Sequence, residues 1–395
     1  MEPLVDESDT FVSSYVTGYP RVVFLTSLKS FVRNVAPTNH LVHYTTFVPS
    51  SFHSVVSPNV DTLYSTAWLD LHHTHTFHLP DMRQRYFVMT VLDEWTNVIG
   101  SVGSRTGQRA QTVQIALGTR PVTDVSDSLA CQHTNTLIQS PTQYVWVILR
   151  FYCRDAQDVK TVNELQFQVF LNRKPGMTID SHHHSPPVPD QVAKMKPREF
   201  FSICQLSFPK LSSDMQAKSV RDAQTAIAEY TGSVAKHGWD TDLSIGRFGN
   251  DILLRAYTAM SFLGANILED TIYWIGKDDH LNEPLHGSHR YMLQFVPPPV
   301  HAFWSLTVYN AQNFFFPLPV HAIRSASAVA TQDSYDQPPR ITVCVQKSKP
   351  RKGATGTENW LPVLAEPFHL VFRLYWPQER AVMFKWVPPL VYKLS

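Results

Sequence analysis

The sequence contains few cysteines and few charges for its length. Its four cysteines are far apart in 395 residues and form no Cys-x-x-Cys pair, which excludes the common zinc and thiol-redox motifs. Charged residues make up only 17% of the chain, and 34 basic residues balance 33 acidic ones. A formal net charge of +1 produces no field that would concentrate a polyanion, so nucleic acid is not an expected partner.

Long apolar runs and catalytic signatures are also absent. No segment approaches the ~20 apolar residues that span a bilayer, and the acidic residues 1–10 lack the basic and apolar parts of a secretory leader. We therefore expect a cytoplasmic protein with no membrane partner. The chain has no Gly-x-Ser-x-Gly elbow, no His-Glu-x-x-His motif and no glycine-rich nucleotide loop. Serine hydrolases, zinc proteases and nucleotide-dependent enzymes are thus disfavoured, and no cofactor is expected.

Hydrophobic residues (43%) and aromatic residues (12%) are plentiful enough to build a folded protein. A single core rarely grows beyond ~250–300 residues, so two domains are expected. Runs rich in β-branched and aromatic residues, bounded by turn residues, predict strands in both halves of the chain. In the first half they are 62–71, 85–93, 112–117 and 144–152, and in the second 291–295, 302–309, 340–346 and 368–376.

Helices are predicted at the start and in the middle of the chain. Residues 11–31 have mixed apolar spacing, and Gly18 to Pro20 is expected to stop a helix there. A proline-rich connector begins near residue 180, and segments 214–236 and 251–263 have helical spacing. We predict a mainly β protein with two jelly-roll or β-sandwich-like domains joined by a helical segment. The predicted boundaries are 1–180, 181–275 and 276–395.

Six short segments together resemble a known family. They are similar to paired domains of unknown function, numbered twelve-fifty-four at the N-terminal side and twelve-fourteen at the C-terminal side, from about Tyr15 to Val391. The resemblance implies two β domains, a homo-oligomer and no accepted catalytic assignment. Relatives are distantly similar in fold to glycan-releasing amidases, an analogy that does not determine function. The segments are 57–65, 92–98, 103–107, 303–309, 359–362 and 373–377.

Carboxylates at strand ends are the first candidates for chemistry. Asp61 enters one predicted strand and Asp93 ends another, with Asn59 close to the first. Two carboxylates brought together share a proton and can act as acid and base on an amide or glycosidic bond. The alternative is structural, because Asp and Asn at strand ends commonly cap turns.

Neighbouring polar residues are candidates for positioning a substrate. Tyr64 and Asn97 lie beside the two carboxylates in the sequence, and Arg105 follows in a Gly-rich turn. An arginine there is suited to hold an anionic or hydroxyl-rich group. Equally, Arg105 is suited to a structural ion pair with Asp61 or Asp93.

Aromatic residues near polar groups form a second set of candidates. Trp304, Tyr309 and Trp376 are predicted to stack on a flat or sugar-like ligand, since aromatic faces bind sugars well. Core packing is the alternative for Trp304, which lies inside a strand pattern.

Histidines cluster at 72–78 and at 182–184. His73 and His75 alternate on an extended segment and so share a face, but a fixed third ligand is missing. We predict no metal site there, and a metal-dependent enzyme is kept only as a third hypothesis.

The leading hypothesis is a protein that binds or hydrolyses a small polar or glycan-like ligand at a cleft where both β domains meet the helical segment. Asp61 and Asp93 are its acid–base candidates. The main alternative is a non-enzymatic assembly protein, because jelly rolls build capsids and lectins as readily as enzymes.

Overall fold

The computed structural model describes residues 7–53, 55–118, 135–179, 187–209, 211–331, 338–351 and 358–394. These residues are mainly β structure, and five of the seven helices among them pack together in one layer. In this part of the chain every helix is too short or too polar to cross a lipid bilayer. The helices are α1 (Glu7–Asn34), α2 (Val159–Gln166), α3 (Val188–Ala193), α4 (Pro197–Cys204), α5 (Ser213–Ala228), α6 (Ile252–Ser261) and α7 (Glu379–Val382).

The first β domain is a sandwich of two sheets. One has six strands in the order β11-β1-β2-β8-β4-β5, and the other has five in the order β10-β9-β3-β6-β7. Alternate residues of β2 and β8, such as Leu63 and Val147, point between the sheets into the core. The strands are β1 (Val42–Tyr44), β2 (Thr62–Asp70), β3 (His75–Leu79), β4 (Phe87–Leu92), β5 (Val98–Gly103), β6 (Gln111–Leu117), β7 (Asn135–Ser140), β8 (Tyr144–Tyr152), β9 (Phe170–Leu171), β10 (Lys174–Pro175) and β11 (Met177–Ile179).

The second β domain is also a sandwich. Its six-stranded sheet has the order β12-β13-β14-β21-β16-β17, and its second sheet has the order β18-β19-β15-β22, with β20 beside β19. Strands β12 and β13, and all of β14 except its last residue, lie within 181–275, the segment that the sequence predicted as connector and helical segment. The strands are β12 (Val234–Lys236), β13 (Trp239–Thr241), β14 (Thr271–Gly276), β15 (Arg290–Phe295), β16 (Val300–Asn310), β17 (Ala322–Arg324), β18 (Ala330–Thr331), β19 (Arg340–Val345), β20 (Trp360–Leu361), β21 (Phe368–Pro377) and β22 (Tyr392–Leu394).

The two sandwiches share one strand topology. The order β2-β8-β4-β5 in the first corresponds to β14-β21-β16-β17 in the second. In the facing sheets, β3 pairs with β6 and β6 runs parallel to β7, just as β15 pairs with β19 and β19 runs parallel to β20. Register then gives residue equivalences: Tyr64 pairs with Arg150, and Tyr273 pairs with Arg373. The chain therefore contains a structural duplication.

Local details of the duplication are equally close. Asp93 and Asn310 lie at the C-terminal ends of equivalent strands, and the Oδ1 atom of each accepts hydrogen bonds from the backbone amides two and four residues further on. The residue three positions after each capping side chain, Thr96 or Asn313, has a φ angle of 64°. Such agreement in side-chain capping is expected of two copies of one supersecondary design.

Helix α1 runs through the predicted stop at Pro20 and ends only at Asn34, so that prediction is wrong. Proline removes one backbone hydrogen bond, but burial of residues such as Tyr15 and Val23 on both sides of it holds the helix together. At Gly18, a Cβ atom would lie 2.8 Å from the Cys204 Sγ atom, so the glycine allows α4 to approach closely. Tertiary packing thus outweighs the local breaker.

The helical layer packs α1 against α3, α4, α5 and α6. Within the predicted helix 214–236, the helix ends at Ala228 and residues 234–236 form β12. Helix α6 is capped by Asp251, whose Oδ1 atom accepts a hydrogen bond from the Leu254 amide. The prediction of two β-sandwich-like domains with a helical segment is confirmed.

Candidate functional site

A cavity of about 250 Å³ lies between the two sandwiches. Its walls come from α1, α3, residues 48–53 and 55–59, strands β2 and β8, the segment after α6, and strands β14 and β21. Each six-stranded sheet has one face in the core of its own sandwich, and its other face is turned towards the cavity. The predicted meeting place of both β domains and the helices is therefore a real space in the molecule.

The first wall is built by strand alternation. Tyr64, Thr66 and Trp68 on β2 point away from the sandwich core and towards the cavity, beside Trp146 and Arg150 on β8. The Trp68 and Trp146 rings stack with centroids 4.8 Å apart. The Trp146 indole N–H donates to Thr66 Oγ1 at 2.7 Å, which fixes the orientation of this apolar surface.

The opposite wall belongs to the second sandwich. Tyr273 on β14 lies across from Arg373 on β21, and Tyr375 follows on the same face. The Tyr375 hydroxyl accepts a hydrogen bond of 2.7 Å from Asn59 Nδ2. Because Asn59 belongs to the first domain, this contact joins the two walls.

Arg150 and Arg373 occupy equivalent positions of the two domains, and both line the cavity. Arg150 donates to Asn266 Oδ1 at 2.9 Å and to the Gly264 carbonyl at 2.5 Å. Arg373 donates to Thr307 Oγ1 at 3.3 Å and to the Ser57 carbonyl at 3.2 Å. Both guanidinium groups are thus held by uncharged acceptors.

Aromatic rings support the same two arginines. The Arg150 guanidinium lies 5.5 Å from the Tyr64 ring centroid, and that of Arg373 lies 5.5 Å from the Tyr309 ring centroid. Burial lowers the pKa of Arg373, but its neighbours Tyr309, Tyr375 and Asp61 more than offset this effect and raise the pKa. Arg373 therefore stays protonated despite its burial.

Asp61 lies at the domain interface beneath the cavity and is 1% exposed. Its Oδ2 atom accepts from Ser305 Oγ at 2.6 Å and from the Tyr375 hydroxyl at 3.1 Å. Its backbone amide donates to Asn59 Oδ1 at 2.5 Å. Its Oδ1 atom is buried without a hydrogen-bond partner among the described residues. Of the predicted carboxylates, Asp61 is the one that contacts a cavity residue.

The structure does not bring Asp93 together with Asp61. Strands β2 and β4 run in the same direction on either side of β8, and Asp61 precedes one while Asp93 follows the other. At ~3.3 Å per residue the two positions are separated by roughly 26 Å along the sheet. The predicted acid–base pair is therefore not formed.

Asp93 and Asn97 form a turn of their own. Asn97 donates from its side-chain amide to Asp93 Oδ2 at 2.9 Å and from its backbone amide to Oδ1 at 2.9 Å. Burial raises the pKa of Asp93, although the hydrogen bonds from Asn97 and Trp95 oppose the shift. The structural alternative, an Asx-type turn, describes these two residues.

Arg105 pairs with a third carboxylate. Its Nε atom lies 3.1 Å from Asp270 Oδ1, and Ser101 Oγ donates to the other oxygen of Asp270. Asp270 is the counterpart of Asp61 in the second domain. Arg105 is therefore an interdomain ion-pair partner and does not line the cavity, and the suggested bridge to Asp61 or Asp93 is wrong.

The three aromatic residues predicted to stack on a ligand are absent from the cavity wall. Trp304 is part of the core of the second sandwich. Tyr309 is buried and donates to the Pro58 carbonyl at 2.5 Å, and Trp376 packs on His301 with ring centroids 5.1 Å apart. Of the predicted residues, Asn59 and Tyr64 do line the cavity.

Sequence reasoning missed both cavity arginines. A signal was present, because Asp61-Thr-Leu-Tyr64 recurs as Asp270-Thr-Ile-Tyr273, and Arg-x-Tyr at the end of β8 recurs at the end of β21. The same polar residues recur at matching positions of two largely apolar stretches, which indicates that they share one environment in the folded protein.

In the described part of the chain, no three His, Cys, Asp or Glu side chains gather to hold a metal ion. The His75 ring bonds to the Asp70 carbonyl at 3.0 Å and to Asn172 Nδ2 at 2.9 Å. Cys153, Cys204 and Cys344 are buried thiols. Cys131 and residues 182–184 lie outside the described residues.

Comparisons with known proteins agree with the resemblance. Residues 38–173 match the family described as "Protein of unknown function (DUF1254)", and residues 270–379 match "Protein of unknown function (DUF1214)". No curated protein matches the sequence.

Two crystal structures show the same fold. The VPA0106 protein from Vibrio parahaemolyticus is 17% identical, with a TM-score of 0.62 over 98% of this chain and 100% of that one. An uncharacterized protein from Burkholderia cenocepacia is 11% identical, with a TM-score of 0.52 over 95% of this chain and 87% of that one.

Proposed function

We propose that this chain, which carries a DUF1254 domain followed by a DUF1214 domain, binds a small organic molecule in the cavity between its two sandwiches. The observation that carries the proposal is the composition of the cavity wall. Apolar and aromatic side chains supply most of it, and a few hydrogen-bonding groups converge from both domains. This combination is typical of small-molecule sites.

The wall favours a ligand with an apolar body over the glycan-like ligand expected from the sequence. Trp304 and Trp376, which suggested a sugar platform, pack elsewhere, while Phe52, Trp146 and Phe262 line the space. A sugar buried against such groups would leave hydroxyls without partners. The volume of about 250 Å³ suits a molecule near the small end of ligand size.

Hydrolysis through paired carboxylates is not part of the proposal, because Asp93 lies at the far end of the sheet. Any acid–base role would fall on Asp61, whose Oδ2 atom already accepts hydrogen bonds from Ser305 and Tyr375. The assembly alternative does not account for two buried arginines in a cavity wall, and we do not adopt it.

Blocking the cavity tests this proposal. Ser30 on α1 is half-buried and lines the cavity, so Ser30→Trp should fill the space without replacing a core residue. The matched control is Lys29→Trp, one residue away on the exposed surface of the same helix. We expect small apolar and amphiphilic molecules to raise the melting temperature of the unaltered protein and of the control, but not of Ser30→Trp.

Equal shifts in all three proteins would mean that binding occurs elsewhere on the molecule. Absence of any shift across a panel of such molecules would contradict the proposed function itself.

A further inference from the structure

The charged side chains that line the cavity are all arginines. Apart from tyrosines, the described residues that line it include two ionisable side chains, Arg150 and Arg373, and no Asp, Glu, Lys or His. Both arginines are nearly inaccessible, at 7% and 3% exposure. The cavity wall therefore has a positive charge, and most of the rest of its surface is apolar.

Protein groups compensate these charges only in part. Among the described residues no carboxylate lies within ion-pair distance of either arginine. The buried interdomain carboxylate Asp270 is paired with Arg105 instead. Asp61 acts on Arg373 from a longer distance. Removing a guanidinium from water costs several kcal/mol unless a partner restores the lost interactions. An anionic ligand group would be such a partner.

The two guanidinium groups are also held in place for a ligand. Contacts with Asn266 and Gly264 position Arg150, and contacts with Thr307 and Ser57 position Arg373. A guanidinium has five N–H donors, and these contacts use only some of them. Because the acceptors are neutral, they orient each arginine without cancelling its charge.

From these observations we infer that the ligand is an organic carboxylate with an apolar body, its carboxylate held by Arg150 and Arg373 and its body against Trp68 and Trp146. This inference rests on the proposed function and names the ligand class of that same cavity. Arginine suits the task because its planar fork matches a carboxylate. Each domain of the duplication contributes one of the two cations, from the same strand position.

The test compares two probes that differ only at the head group, 4-phenylbutyrate and 4-phenylbutyramide, by calorimetric titration of the full chain at neutral pH. We expect the acid to bind at least ~10-fold more tightly than the amide, because the charged head gains charge-assisted hydrogen bonds. Arg150→Gln and Arg373→Gln should each remove this preference. The control Arg105→Gln removes a buried arginine outside the cavity and should retain it.

The outcomes separate the inference from the function on which it rests. If the amide binds as tightly as the acid, and Ser30→Trp abolishes binding of both, the cavity is a ligand site and the carboxylate inference is wrong. If neither probe binds, the inference and the proposed function both fail. Should an arginine variant not fold, the comparison of acid and amide on the unaltered protein still decides the question.

Discussion

The two sandwiches are built alike but covered differently. In the first, Thr66 and Ile148 extend the face beyond Tyr64 and Arg150, and they line an open cavity. In the second, the equivalent of Thr66 is Ile275, which packs with Phe262 and other side chains around α6. The duplicated strands thus supply two equivalent arginines, and the helices determine which side keeps room for a ligand.

A second difference concerns the carboxylate that each domain inserts into the other. Asp61 meets the hydroxyls of Ser305 and Tyr375, whereas Asp270 meets the charged Arg105 together with Ser101. Equivalent positions therefore serve one role, joining the domains, with neutral partners on one side and a charged partner on the other. Substitutions at the two positions should separate these cases.

The largest effect is expected for Asp270→Ala. Arg105 is 10% exposed and would lose its buried partner, so the free energy of unfolding should fall by ~3–5 kcal/mol in denaturant titrations. The control is Arg154→Ala, which breaks the exposed pair with Asp155 but keeps the backbone hydrogen bonds of that carboxylate, and it should leave stability unchanged within error. A loss below ~1 kcal/mol for Asp270→Ala would show that the buried pair contributes little.

A smaller effect is expected for Asp61→Asn. The asparagine oxygen can still accept a hydrogen bond from Ser305 or Tyr375, so the free energy of unfolding should fall by only ~1 kcal/mol. Because a negative charge near Arg373 disappears, the affinity for 4-phenylbutyrate should rise by roughly threefold in titrations. Weaker binding by this variant would mean that Asp61 contacts the ligand directly.

The smallest effect is expected in the two equivalent turns. Thr96 and Asn313 both have a φ angle of 64°, which a β-branched residue tolerates poorly and asparagine tolerates well. Thr96→Gly should therefore stabilise the protein by ~0.5 kcal/mol, since it also removes a buried hydroxyl without a partner. Asn313→Gly should have almost no effect, and equal effects at both sites would contradict this account.

Much of the β structure is readable from the sequence. The runs 62–71, 144–152 and 368–376 are long and rich in β-branched and aromatic residues, and each is a strand of a six-stranded sheet. Their polarity is low because a sheet of one domain is covered on both faces, by its own core and by the other domain. Because both faces of these strands are buried, their sequences are long apolar runs that are easily recognised as strands.

The site was harder to predict because it depends on strand direction and order. Asp61 and Asp93 both lie at strand ends, but only the pairing of β2 and β4 with β8 shows that these are opposite ends of the sheet. Arg150 and Arg373 lie inside apolar runs, where the sequence pattern alone indicates core. Which helix covers which face depends on packing between distant segments, and no local pattern carries that information.

The reciprocal insertion of Asp61 and Asp270 has a consequence for how the molecule unfolds. Each sandwich donates hydrogen bonds to a buried carboxylate of the other, so pulling them apart would expose both carboxylates, Arg105 and two largely buried sheet faces at once. Partial opening would lose these contacts without the conformational freedom that full unfolding releases. The two sandwiches should therefore melt together as one cooperative unit, as a dimer does when its subunits are fused into one polypeptide.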